Sequence, residues 1–285
     1  MTGADLAEVR TLSALAYKPQ RRWVGRLDLA DGSRLVARAY RPADLPATEV
    51  AWRVAGSLDG WVPVPTVRGI DRARGLVLTD WMPGTPLDRW LTDGGTDREV
   101  LRRVGAGLAR LHAAARRPVH PSADSSAEAE LVGPLDAVTD QLATVLPELA
   151  ARGRELLDHL RATAPRPGEA HPVHGDFSAD QVIVDPAGRI AVTDWDRAGW
   201  ADPAVDLGSL RAAGLDPTAY TEVLAGYTTV RPQPAGVDWH LARARLLRLV
   251  EPLRRARPDW RQQISTRLGE LEALLDAAGS KEQDR

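Results

Sequence analysis

Two aspartates and one glutamine hold the densest chemistry in this 285-residue chain: Asp176, Gln181 and Asp194. They flank one short apolar hairpin. Into it runs His171-Pro-Val-His174-Gly-Asp176-Phe-Ser-Ala-Asp180-Gln181, and out of it runs Thr193-Asp194-Trp-Asp196-Arg-Ala-Gly-Trp-Ala-Asp202-Pro-Ala-Val-Asp206-Leu. Between them, 181–184 and 189–193 read as strands around the turn Asp185-Pro-Ala-Gly188. A tight hairpin returns the chain close to where it began, so Asp176, Gln181 and Asp194 should converge although 18 residues separate the outer two. Two carboxylates and a carboxamide, in a chain without cysteine, make an oxygen-donor site. Such sites suit magnesium, which keeps several waters and is commonly completed by substrate phosphates.

Three readings of this constellation compete. In the first, the acids only cap turns and helix ends, which fits Asp180, Asp185 and Asp202 best and leaves Asp196 open. In the second, His171, His174 and Asp176 bind zinc, although Pro172 disfavours the helix that would align two imidazoles. In the third the site transfers phosphoryl groups. One aspartate orients an acceptor hydroxyl and takes its proton, while a carboxamide and a second aspartate hold magnesium on nucleotide phosphates.

The elements that must position these residues fall into two halves. Up to about residue 80 the pattern is β-rich. A short helical spacing over Ala4 to Leu15 is followed by a hairpin, Arg22 to Leu29 and Arg34 to Tyr40, turning at Asp31-Gly32. Residues 47–58 have helical spacing, and 67–70 with 75–79 read as another hairpin. Pro83-Gly84 then breaks the chain. Beyond it Thr96 and Glu99 form a capping-box start, and Val100, Val104, Leu108 and Leu111 make one apolar stripe ending at His112. Residues 113–135, rich in Ala, Pro and Ser, read as a loop. Helical patterns resume from Ala137 to Leu160 and from Trp239 onward. The expected class is α+β: a small β-rich lobe over 1–80, a connection at 81–84, and a larger helical lobe over 85–285.

Composition removes several classes. With 37 basic against 39 acidic residues the formal charge is -2, which lacks the basic field that nucleic-acid binding uses to displace counterions. No window approaches the roughly 20 apolar residues of a membrane span. The start, Met1-Thr-Gly-Ala-Asp-Leu-Ala-Glu, has no basic-then-apolar secretory pattern, so cytoplasm is the expected compartment. Only Lys18 and Lys281 are lysines; the other 35 basic residues are arginines. Chemistry that needs a lysine has almost nowhere to find one.

His174-Gly-Asp176, Gln181 five residues on, the hairpin, Asp194-Trp195 and Asp202-Pro-Ala-Val-Asp206-Leu together resemble the aminoglycoside phosphotransferase and choline kinase group. These are small-molecule kinases with a protein-kinase-like fold. Tyr17-Lys-Pro-Gln-Arg-Arg22 is similar to the family's first-strand entry. Leu76-Val-Leu-Thr-Asp-Trp-Met-Pro-Gly-Thr-Pro-Leu87 resembles its hinge, and Gly105-Ala-Gly-Leu-Ala-Arg-Leu-His112 the helix after it. The resemblance implies ATP and Mg2+, with Asp176 as catalytic base and Asp194 as main magnesium ligand. It puts Gln181 where the family usually has asparagine, a methylene longer but still able to bind metal. His174 would brace the catalytic loop, Asp206 would tie loop backbone together, and Phe177 would pack behind it. Backbone of Asp80, Trp81 and Met82 would hold adenine between the apolar walls Val36, Leu78 and Ile183. Where the family has a lysine for the α- and β-phosphates, Leu35-Val-Ala-Arg38 supplies Arg38, with Glu49 as its natural partner. Arginine grips phosphate with a larger, planar fork. Lys18, Arg21 or Arg22 could reach the same phosphates.

The acceptor would be a small molecule or peptide bearing a hydroxyl. Residues 239–261 carry seven arginines against two acids. They read either as a solvated helix face or as a wall of the acceptor cleft, one that would repel polycations and suit a neutral or anionic acceptor. The same residues also allow a pseudokinase or nucleotide-binding regulatory module, or a kinase of Ser/Thr in a peptide precursor.

Overall fold

The computed structural model describes residues 9–18, 22–57, 63–114, 124–166 and 169–283. In the first lobe, strands β1 (Val9–Lys18), β2 (Arg22–Leu29) and β3 (Arg34–Tyr40) are followed by helix α1 (Leu45–Gly56), then β4 (Val67–Asp71) and β5 (Leu76–Asp80). The five strands form one antiparallel sheet in the order β1-β2-β3-β5-β4. Directly opposed residues share a face of such a sheet. Leu27, Leu35, Ala37 and Leu78 cluster on one face, and Tyr40 and Val77 pack with Leu45 of α1 on the other.

The helical expectation for Ala4 to Leu15 is corrected from Val9 onward; residues 1–8 lie outside the described residues. Val9 to Lys18 pairs with β2 from Val9 opposite Leu29 to Lys18 opposite Arg22. Ladder pairing along a whole strand outweighs a weak local helical spacing. As the edge strand, β1 leaves Leu12, Leu15 and Tyr17 exposed.

The second lobe starts with β6 (Thr85–Pro86), α2 (Leu87–Thr92) and α3 (Arg98–Ala113). The cap of α3 falls one residue later than expected. Asp97, not Thr96, accepts from the Glu99 N–H at 2.8 Å, and the Glu99 side chain turns toward Arg103 instead. Val100, Val104, Leu108 and Leu111 are all buried. The loop expected over 113–135 is overturned from Asp124, where α4 (Asp124–Val145) begins and carries Pro134 inside it. There Leu135, Val138 and Leu142 join a buried leucine core with α5 (Ala150–Ala162), and tertiary packing decides what local composition does not.

The site hairpin follows: β7 (His171–Val173), β8 (Val182–Val184), β9 (Ile190–Val192) and β10 (Gly199–Ala201). Then come α6 (Ala204–Ala212), α7 (Pro217–Thr228), α8 (Val237–Leu247), α9 (Glu251–Arg254) and α10 (Trp260–Gln283). Every residue from Ala204 to Leu210 is buried, so α6 shows no one-sided stripe for sequence periodicity to find. Helices α3 and α7 touch backbone to backbone. A Cβ at Gly105 would fall 1.8 Å from the Val223 carbonyl oxygen, and one at Gly226 would fall 2.0 Å from that of Arg102. Among the described residues no helix is long and apolar enough to cross a membrane.

Candidate active site

The loop after β7 is built on a buried carboxylate. Asp206, at the start of α6, has no exposed side-chain surface. It accepts from the backbone N–H groups of His174 and Gly175, both at 2.8 Å. Its third partner is His112 Nε2 at 3.0 Å. Because the carboxylate can only accept, Nε2 carries the proton, and His112 Nδ1 is hydrogen-bonded with the Tyr227 hydroxyl at 2.9 Å. Burial pushes the Asp206 carboxyl up, but the His112 and backbone bonds reverse this and hold it below the ordinary range. His174 is itself buried between Phe177 and Trp195, and its Nε2 donates to the Thr193 carbonyl at 2.9 Å. That bond ties the loop before the hairpin to the segment after it. Gly175 has φ +82°, and a Cβ there would fall 2.2 Å from the Arg197 carbonyl oxygen. Only glycine fits between the two loops.

This framework brings Asp176 and Asp194 onto one cavity of about 350 Å3, lined also by Arg22, Tyr40, Asp196 and Arg197. Asp194 sits in the left-handed region at φ 65°, ψ 46°. Non-glycine residues there are uncommon and cluster at functional sites. Both Asp194 oxygens accept from Arg22, at the start of β2. Arg22 also pairs with Asp196, whose other oxygen accepts from the Tyr40 hydroxyl at 2.7 Å and from Trp52 Nε1 at 3.2 Å. Asp196 is therefore a gathering point and not a turn cap. The turn acids behave as read: Asp185 accepts from the Ala187 and Arg189 N–H groups, and Asp202 from the Ala204 N–H.

Burial alone would raise the Asp194 carboxyl. The Arg22 hydrogen bond and charge, with the charges of Arg38 and His174 behind them, hold it at about 2. A depressed carboxyl stabilises the fold fully above its ordinary value of 3.8 and loses that contribution as the pH falls through its folded value. In ligand-free protein, the urea midpoints of wild type and Asp194→Asn should differ at neutral pH. The gap should close as pH falls from about 4 to about 2, and a gap that persists at the acid end would count against the ion pair.

Gln181 is buried, and among the described residues its Oε1 has no hydrogen-bond partner. The backbone carbonyl of Gln181 accepts from the Thr193 N–H at 2.9 Å, beside Asp194. A buried carboxamide oxygen left without a partner is an oxygen donor of the kind magnesium takes, although Gln181 does not line the cavity that holds Asp176 and Asp194. The zinc arrangement finds no support: among the described residues no three His, Cys, Asp or Glu side chains group as a metal site.

Arg38 and Glu49 do not pair. Arg38 is buried on β3, donates to Thr79 Oγ1 at 2.9 Å and lies with its guanidinium carbon 5.2 Å from the centre of the Trp52 ring. Glu49, one turn before Trp52 on α1, turns outward to Arg72 at 2.7 Å. Trp52 thus takes the place expected of the glutamate. Val36 and Leu78 are also separated. Val36 opposes Thr79 on the face that carries Arg38, while Leu78 opposes Ala37 on the other face. Thr79, missed in the sequence, sits where a wall on the Arg38 face was wanted. Ile183 alternates outward between buried Val182 and Val184 and lies against Gly84. At the connection, the N–H groups of Asp80 and Trp81 donate to the Thr66 and Arg34 carbonyls. The Asp80 carboxylate pairs with Arg68, and Met82 follows half-buried.

Asp176 is met by two arginines. Arg248, just past α8, donates to its Oδ1 at 2.7 Å, and Arg197 lies 3.6 Å from its Oδ2. Arg248 belongs to the arginine-rich stretch, so that stretch does reach the cleft. Lys18 closes β1, and Arg21 lies outside the described residues.

A model of the phosphotransferase enzyme family matches residues 20–247. A search of curated proteins returned no match. Among solved structures, a thermostable mutant of the aminoglycoside phosphotransferase APH(4)-Ia in its apo form is 19% identical. The match covers 96% of this chain and 97% of that one, with a TM-score of 0.72. A D198A variant of that mutant, solved in ternary complex with ADP and hygromycin B, is 19% identical over 94% of each chain, with a TM-score of 0.67. A choline/ethanolamine kinase family protein from Mesorhizobium loti is 22% identical, over 95% of this chain and 90% of that one, with a TM-score of 0.64. At these identities the likeness is one of fold: a two-lobed kinase-like architecture with an antiparallel first lobe and a helical second. The family match extends over most of the sequence, through Asp176 and Asp194, and on it the chain belongs to the phosphotransferase enzyme family, as a phosphotransferase with an alcohol group as acceptor.

Proposed function

We propose that the chain moves the γ-phosphoryl group of ATP to a hydroxyl of a small molecule or biosynthetic intermediate, in the cytoplasm where ATP is held. A lobe of residues 1–80 and a lobe of residues 85–285 would close about a hinge at 81–84. The observation that carries this is one cavity walled by both Asp176 and Asp194; the unpartnered Oε1 of buried Gln181, a residue whose backbone carbonyl accepts from the Thr193 N–H, is a further donor. The relative solved with ADP and hygromycin B supports a nucleotide and a hydroxyl acceptor meeting in this fold.

In this reading Asp176 accepts the acceptor's hydroxyl proton while the acceptor oxygen attacks the γ-phosphorus. The bond from that phosphorus to the bridging oxygen breaks, and ADP leaves. Asp194 and Gln181 would hold Mg2+, which neutralises charge on the phosphates when bound. Arg38, fixed by Thr79 and Trp52, and Arg22 offer guanidinium forks to the phosphates. Met82 backbone, Val36, Thr79 and Ile183 would frame the adenine.

One observation favours a second reading. Arg22 holds both oxygens of Asp194, as suits a nucleotide-binding regulatory module that never transfers. Screening ADP release over aminoglycosides, sugars, amino alcohols and peptides separates the two. The kinase reading expects acceptor-dependent, Mg2+-dependent ADP. Protein that gains melting temperature with Mg·ATP but releases no ADP with any acceptor would be the regulatory module.

A further inference from the structure

We infer that the acceptor carries an oxyanion, a carboxylate or a phosphate ester, near the hydroxyl that is phosphorylated, and that Arg197 and Arg248 bind it beside Asp176. The inference rests on the phosphotransferase reading and names its substrate class.

The residues come from separate parts of the chain. Arg197 follows Asp196 in the loop beyond the hairpin, and Arg248 closes α8, 72 residues after Asp176. Arg248 is held from behind, since its carbonyl accepts from Arg267 Nη1 of α10 at 3.0 Å. Its own guanidinium is partly buried, and among the described residues it makes one side-chain hydrogen bond, through Nη2 to Asp176. A planar fork has five N–H donors, so most of this one remains for a ligand. Arg243, one turn and a half earlier on α8, lies near enough to Arg197 to feel its charge. Burial first, and then the charge of Arg197, lower its guanidinium to about 10.

Two arginines thus meet one carboxylate. A single carboxylate needs at most one arginine to stay oriented. Bringing like charges together in a partly buried site is unfavourable unless an anion completes it. A cationic acceptor would add to the excess, and a neutral one would leave it unanswered. An alcohol with its own oxyanion balances it and accepts a bidentate grip, which fixes the neighbouring hydroxyl at Asp176.

The test uses matched acceptors that differ in charge: glycerate, glycerol 3-phosphate, glycerol and 2-amino-1,3-propanediol, then gluconate, glucose and glucosamine, with kanamycin as polycation. Binding is read by calorimetry on the Mg·AMP-PNP complex, and turnover by ADP release with Mg·ATP. In at least one set the anion should bind at least tenfold more tightly than its neutral and amine twins. Comparison of glycerate with glycerol 3-phosphate tells carboxylate from phosphate. Arg197 is exposed, so Arg197→Gln should keep the fold. It should raise the anion's KM roughly 10–100-fold, the scale of a charged hydrogen bond, with kcat changed less than threefold, and Arg197→Lys should recover part of the loss. Equal binding across each set, preference for an amine, or an Arg197→Gln variant that lowers kcat alone would overturn the anion site. If one of these is seen while some acceptor still releases ADP, phosphotransfer stands. Anion-selective binding with no ADP from any acceptor would do the reverse.

Discussion

Asp176→Asn is expected to lower kcat by about 10²–10⁴-fold, the usual contribution of a positioned general base. The affinity for Mg·AMP-PNP should stay within about twofold, since in the proposed mechanism the mutated group would face the acceptor and not the nucleotide. The geometry makes this separation sharp. Asp176 stands on the Arg197 and Arg248 side of the cavity, while the Arg22 pair sits on Asp194. Asparagine keeps the shape and can still accept a hydrogen bond, so the loss isolates the proton-accepting step. The Asp206 clamp acts through the backbone of His174 and Gly175 and is untouched, so the loop should keep its shape although Arg197 and Arg248 lose their carboxylate partner. Single-turnover kinetics with the best acceptor decides the matter. An Asp176→Asn enzyme with wild-type turnover would move the base elsewhere.

The second large effect is expected at Asp194. Asp194→Asn should weaken nucleotide binding at least tenfold in Mg2+ while leaving binding in EDTA nearly unchanged. It should also lower kcat by roughly 10²–10³-fold, because metal stabilisation of transition-state charge is worth several kcal/mol. Asparagine is the right substitution because it tolerates the left-handed backbone at φ 65°, whereas alanine would add strain of its own. Removing the charge also leaves Arg22 with Asp196 as its one carboxylate partner. A variant that loses nucleotide affinity equally with and without Mg2+ would show that Asp194 works through Arg22 and not through the metal.

What could be read from the sequence divides along physical lines. The hairpin that brings Asp176 and Asp194 onto one cavity was legible because its strands and turn lie within 18 residues. The stripe of α3 was legible because one face is buried. Neighbours set by the tertiary fold were not. Nothing local says that Trp52 and not Glu49 faces Arg38, since both lie on α1 and its rotation is fixed by Leu45 packing under Tyr40 and Val77. Val36 and Leu78 looked equivalent as apolar residues. The strand register alone puts them on opposite faces, because a shift of one residue exchanges the two sides. The sequence offered Arg248 as one of seven arginines, and only the packing of α8 shows which of them meets Asp176. The edge strand β1 has helical spacing locally, and what makes it a strand is pairing with β2.

The grouping at Asp196 has a consequence for motion. Its donors, Arg22, Tyr40 and Trp52, all belong to the first lobe, while Asp194 and Asp196 belong to the second. The lobes therefore meet across the cleft through a latch of charges and hydrogen bonds. In the proposed reading, a nucleotide that arrives with a cation would offer Asp194 and Arg22 new partners as it enters, so binding would unfasten the latch with little net loss of interactions. When product departs, the same pairs would re-form. Opening and closing would thereby be tied to the contents of the cleft, and salt, which screens exposed charges far more than packed side chains, would become a handle on the rate of that cycle.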